Sequence, residues 1–107
     1  MIVAIPVTED GGVGRRWGKA ERVAVAAVDD GAVTAWEKYD VRWDLAHDQG
    51  TEGSHHARVV RFLREHGVTH VVVDHMGAGM VRMMATMGIP VSAPRSADAR
   101  EAARLVG

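Results

Sequence analysis

The chain contains no cysteine. That excludes disulfides, a thiol nucleophile and any iron–sulfur cluster held by the protein's own thiolates. No apolar run approaches the ~20 residues needed to span a bilayer. The N-terminus lacks the charged n-region and long apolar stretch of a signal peptide, so the expected location is cytoplasmic and off the membrane. The net charge is only −1, which argues against a general nucleic-acid binder. Repeats, linkers and low-complexity tracts are also missing.

What is present is an ordinary globular composition, 47% hydrophobic and 25% charged over 107 residues. That length suits one domain, residues 1–107, with one modest core. Six histidines and six methionines stand out. Without cysteine, any metal chemistry must use these, carboxylates, or sulfurs that a ligand brings with it.

The chain is organised around residues 68–80. The apolar run Val71-Val72-Val73 reads as a strand buried on both faces. It stops at Asp74-His75-Met76, and Gly77 and Gly79 then open a helix. A strand feeding a glycine turn and a helix start presents free backbone N–H groups to an anion. Gly-x-Gly here lacks the third glycine of a dinucleotide fingerprint, and no Walker lysine follows. By itself the stretch is equally an ordinary strand-to-helix turn.

The rest of the chain reads as elements around this turn. Residues 1–7 form a first strand and residues 8–21 a glycine-rich loop. Residues 22–28 and 32–39 pair as a hairpin across Asp30-Gly31, a usual pair for such turns. In the third strand Val33 and Ala35 alternate against Thr34 and Trp36. Residues 40–53 are a polar loop, and Ser54 caps a helix closed by Gly67. Gly88 ends the next helix, residues 89–91 form a fifth strand, and residues 97–105 a last helix. An antiparallel meander followed by right-handed crossovers predicts a mixed sheet of order 3-2-1-4-5, with strand 2 antiparallel to the rest. That is a ribonuclease-H-like α/β arrangement.

This topology sorts the histidines. Strands 1 and 4 are neighbours that leave in different directions, and open sheets bind ligands at such a switch point. His47, His55, His56 and His75 fall at that end, while His66 and His70 fall at the other. His55 and His56 lie in the first turn of a helix, whose dipole disfavours imidazolium; the neutral ring is the form a metal takes. His56, near Val60, reads equally as a packed capping residue. Met80, Met84 and Met87 follow the helical period with Val81 and read as core fillers, leaving Met76 near the site. Arg15, Arg16 and Lys19 sit in a loop with glycines at 11, 12, 14 and 18, expected to have little structure of its own until a ligand orders it. Trp17, in the same loop, must pack somewhere and reads as the loop's anchor.

Several pieces, in order, resemble one family. They are the opening Ile-Val-Ala-Ile-Pro-Val, Trp17-Gly18-Lys19-Ala20 where the family has Phe-Gly-x-Ala, and the histidines at the first helix start. Gly67-Val68, Met76-Gly77-Ala78-Gly79 and Gly88-Ile89-Pro90-Val91 follow. Over nearly its whole length the chain resembles the dinitrogenase iron–molybdenum cofactor biosynthesis proteins, the NifX-like carriers and their relatives. The resemblance implies the ribonuclease-H-like fold and non-catalytic binding or delivery of an iron–sulfur or iron–molybdenum-type cluster. Partners would be cluster donor and acceptor proteins, with the chain a monomer or weak homodimer. Cluster contacts are then expected at Arg15, Arg16, Trp17, Gly18, Met76, Gly77 and Gly79. Ligation is expected from His75, with His55, His56 and His47 as further candidates. Tryptophan for phenylalanine, Arg15-Arg16 ahead of it, and His75-Met76 in the turn depart from the family pattern.

Other functions fit some of the same residues. A simple zinc or copper site could draw on the same four histidines. A protein-interaction module would bind no metal. A two-metal nuclease needs carboxylates on adjacent central strands, and strand 1 has none.

Overall fold

The computed structural model describes residues 1–46 and 50–106. Strand β1 (Ile2–Pro6) lies at the centre of a five-stranded sheet of order β3-β2-β1-β4-β5. Its partners are β2 (Val23–Asp29), antiparallel, and β4 (His70–Val72), parallel. At the edges lie β3 (Ala32–Tyr39), antiparallel to β2, and β5 (Val91–Ser92), parallel to β4. This is the expected order, with β2 opposed to the other four.

Asp30 and Gly31 take φ of 49° and 74°. Positive φ at both central residues gives the primed turn whose twist matches the strands. In β3 the simple alternation fails. Ala27 pairs with Ala35 but Val28 with Val33, so Thr34 is the extra residue of a bulge. Val33 and Trp36 therefore share one face, and Ala35 is exposed.

Helix α2 (Glu52–Glu65) starts earlier than expected. Thr51 is its cap, its side chain accepting from the Ser54 N–H, so Ser54 lies inside the first turn. The loop before it contains a short helix α1 (Trp43–Ala46), unforeseen because four residues carry no period to read. Helix α3 (Ala78–Met87) ends at Gly88, which has a φ of 72° suited to glycine. Val81 of α3 is exposed rather than core-facing; Met80 and Met84 carry the buried stripe. The fifth strand begins one residue past Pro90, which has no N–H to give the ladder, although its carbonyl accepts from Val71.

The helices cover both sheet faces. Val59 and Leu63 of α2 and Met80 and Met84 of α3 pack on Ala4, Val71 and Val73. Helix α4 (Ala99–Arg104), capped by Asp98, sets Ala99, Ala102 and Ala103 against Val3, Ile5 and Ala26 on the other. Small alanines let α4 approach closely, and Arg100 covers the Trp36 ring at 5.7 Å. No helix among the described residues is long and apolar enough to cross a membrane.

Candidate functional site

The C-terminal ends of β1 and β4 open into a cleft of about 2050 Å³ between residues 6–22, the start of α2 and the start of α3. The turn after β4 forms its floor. Gly77 caps α3 with no side-chain hydrogen bond, and the first intrahelical bond is from Val81 N–H to the Gly77 carbonyl. The N–H groups of Ala78, Gly79 and Met80 thus have no partner within the helix. No acidic side chain stands in that first turn. His75 is exposed at the cleft edge.

The glycine-rich segment behaves as a strap rather than a free loop. Gly14 N–H donates to the Pro6 carbonyl at 2.7 Å and Val13 N–H to Ala97 at 2.9 Å. Trp17 N–H donates to the His75 carbonyl at 3.2 Å, and Arg16 pairs with His75 as an isolated parallel bridge. The expectation of little local structure is corrected by these long-range bonds, which glycine content cannot reveal. Gly14 has a specific reason to be glycine: a Cβ there would lie 3.0 Å from Pro6 Cβ and 3.2 Å from its carbonyl carbon.

Trp17 anchors the strap. Its ring is fully buried and meets Trp43 edge-on, centroids 5.2 Å apart. Trp43 continues to Phe62 at 5.5 Å, so the unforeseen α1 supplies the seat for the strap. Trp17 Nε1 is buried and has no hydrogen-bond partner among the described residues.

Four basic residues (Arg15, Arg16, Lys19, Arg22) and four acidic ones (Glu9, Asp10, Glu21, Asp74) line the cleft, so its formal charge balances. One residue of each sign is paired outside the cleft. Arg22 is bound to Asp40 at 2.7 Å, and that hydrogen bond and charge raise its pKa further. Glu21 faces Arg42 at 3.4 Å. Asp10 accepts from Thr8 and Gly12, which hold its carboxyl below the ordinary value. Arg15, Arg16 and Lys19 are exposed and make no ion pair among the described residues. The cleft thus holds three cations without an ion pair among the described residues, Arg15, Arg16 and Lys19, and three such carboxylates, Glu9, Asp10 and Asp74.

Of the expected site residues, Arg15, Arg16, Trp17, Gly18, Gly77, Gly79, His55, His56 and His75 all line this cleft. Met76 does not; it is half-buried against the core beneath. His47 lies outside the described residues. His55 is 3% exposed, its Nε2 2.7 Å from the Gly18 carbonyl and its Nδ1 3.2 Å from Arg58 Nη1. Sequence gave no sign of Arg58, which lies one helical turn on from His55. His66, by contrast, stacks on Tyr39 and Phe62 at 4.4 and 4.5 Å, and His70 bonds to Thr69. Among the described residues no three histidine or carboxylate side chains converge to hold a metal ion.

The family described as dinitrogenase iron-molybdenum cofactor matches residues 1–107. The chain belongs to this family. Solved structures agree on the fold. The protein PH0822 has a TM-score of 0.71 at 20% identity, covering 94% of this chain and 85% of that one. A protein of Methanocaldococcus jannaschii described as a candidate dinitrogenase (mj0327) gives 0.70 at 12% identity, covering 98% and 86%. A Thermotoga protein described as a candidate NifB protein (TM1290) gives 0.67 at 24% identity, covering 94% and 82%. No curated protein matches the chain. In this member of the dinitrogenase iron-molybdenum cofactor family, the cleft brings Arg15, Arg16 and Lys19 together with the helix-start N–H groups of α3.

Proposed function

We propose that this chain is a non-catalytic carrier that binds an anionic metal–sulfur cluster, of iron–sulfur or iron–molybdenum type, in the cleft between the strap and the start of α3. The observation that carries the reading is a convergence: Arg15, Arg16 and Lys19, the helix-start N–H groups of α3 and the exposed His75 share one opening. Each contributes differently. Imidazole ligates an exposed metal of the cluster. Helix-start N–H groups and guanidinium groups donate to its sulfides and offset its charge. The cargo brings its own sulfur, so a chain without cysteine suffices.

The same reading takes residues 1–107 as one ribonuclease-H-like domain working in the cytoplasm, as a monomer or weak homodimer between donor and acceptor proteins. The test is anaerobic reconstitution with ferrous iron and sulfide, and separately with tetrathiomolybdate. The reading expects a broad visible absorption band and stoichiometric iron or molybdenum by elemental analysis. Colourless uptake of zinc with no retention of either would contradict it.

A further inference from the structure

His55 is buried where a ligand would be exposed, and both ring nitrogens have partners. A carbonyl only accepts, so Nε2 carries the hydrogen toward Gly18. A guanidinium only donates, so Nδ1 accepts from Arg58. The neutral ring protonated on Nε2 satisfies both contacts together. To ligate a metal through Nε2, the ring would have to abandon a 2.7 Å bond and leave the part-buried Gly18 carbonyl without this donor.

That bond joins residues 37 apart in sequence, one on the strap and one on α2. Gly18 itself sits close: a Cβ added there would lie 3.7 Å from His55 Nε2 and 3.9 Å from Met80 Cε. The neighbouring residues make the other attachments. The Trp17 ring is buried in the core, and Trp17 N–H and Arg16 pair with His75. We infer that His55 is a positioning residue. It latches the Trp17–Gly18 turn to the start of α2, and so holds the strap's cations beside His75, instead of ligating cargo itself. The inference rests on the cleft being the cargo site proposed above.

Amide exchange in the cargo-free protein reads the latch alone. His55→Leu should speed exchange at Trp17 and Ala20 about tenfold, the scale of losing one buried hydrogen bond, while the β2 amides keep their rates. His55→Gln, whose amide nitrogen can take the place of Nε2, should restore near-native rates. Arg58→Leu removes the Nδ1 contact without touching the Gly18 contact, and should give a smaller acceleration at the same two amides. It serves as well if His55→Leu does not fold. Unchanged strap exchange in both leucine variants would overturn the latch, as would Gln behaving like Leu or β2 accelerating equally. Tetrathiomolybdate titration separates the two ideas. His55→Gln should bind it as the native chain does; loss of binding with an intact strap would make His55 a ligand and overturn the latch. Failure of the native chain to bind iron–sulfur or molybdenum–sulfur species at all would defeat the carrier reading, and the exchange rates would still judge the latch.

Discussion

Trp17 and His75 are joined main chain to main chain, the Trp17 N–H donating to the His75 carbonyl at 3.2 Å. This one bond crosses from the strap to the turn after β4. It sets the indole side chain into the core while the imidazole stays exposed at the cleft. The fold of the strap and the proposed cargo site therefore meet at this pair without sharing a side chain.

Trp17→Ala should cost about 3–5 kcal/mol, the usual loss for truncating a buried aromatic. Against a total stability of roughly 5–15 kcal/mol, that brings the domain close to unfolding. Trp17→Phe should be far milder. The smaller ring leaves space beside Trp43, but the change removes an indole N–H that is buried without a partner among the described residues, a group that costs about 1–3 kcal/mol to bury. Urea unfolding of the two variants checks the contrast. Equal losses would mean that the orphaned N–H carries no penalty.

Much of this arrangement was legible in the sequence. Asp30-Gly31 marked the hairpin and Gly88 the helix end because both need backbone angles that these residues supply at low cost. The crossover rule then gave the sheet order and put three described histidines at one opening. What stayed hidden depends on distant partners. The burial of His55 follows from a carbonyl 37 residues away, and the order of the strap from bonds to Pro6, His75 and Ala97. Thr51 took the cap from Ser54 because both are good capping residues three positions apart, and sequence alone does not rank them. Met76 went inward because the floor of the cleft is also the roof of the core.

Asp10 provides a pH marker for the far end of the strap. The Thr8 hydroxyl, then the Gly12 N–H, lower its pKa from the usual 3.8. A depressed folded value means the interaction is fully present above the unfolded pKa. It is lost as pH falls through the folded pKa. The Gly12 amide resonance should therefore titrate with a midpoint below 3.8, while the global fold is unaffected because the carboxylate is exposed. A midpoint at or above the ordinary value would show that the turn does not hold Asp10 in solution.

Charge changes around the cleft should act with opposite signs on an anionic cargo. Arg15→Gln and Arg16→Gln should each weaken tetrathiomolybdate binding about threefold to fivefold, from the ~0.6–1 kcal/mol typical of exposed charge pairs. Asp74→Asn should strengthen it by a similar factor. Both effects should shrink as salt is raised, since exposed charges are screened within about 10 Å at 0.1 M. Titrations at two salt concentrations check this; an affinity indifferent to all three changes would remove charge from the account.

The most direct test compares His75→Ala with His66→Ala for affinity toward the anaerobically reconstituted cluster or tetrathiomolybdate. His75 is exposed at the cleft, and His66 stacks on Tyr39 and Phe62 at the opposite end of α2. The account predicts that His75→Ala weakens binding about 10–100-fold, the scale seen when residues supporting a metal site are removed. Its melting temperature should stay near native, because an exposed side chain contributes little to folding. His66→Ala should bind as the native chain does, even if its lost ring contacts lower stability. Equal binding by both variants, or unfolding of the domain by His75→Ala, would contradict the claim that His75 is the cluster's ligand.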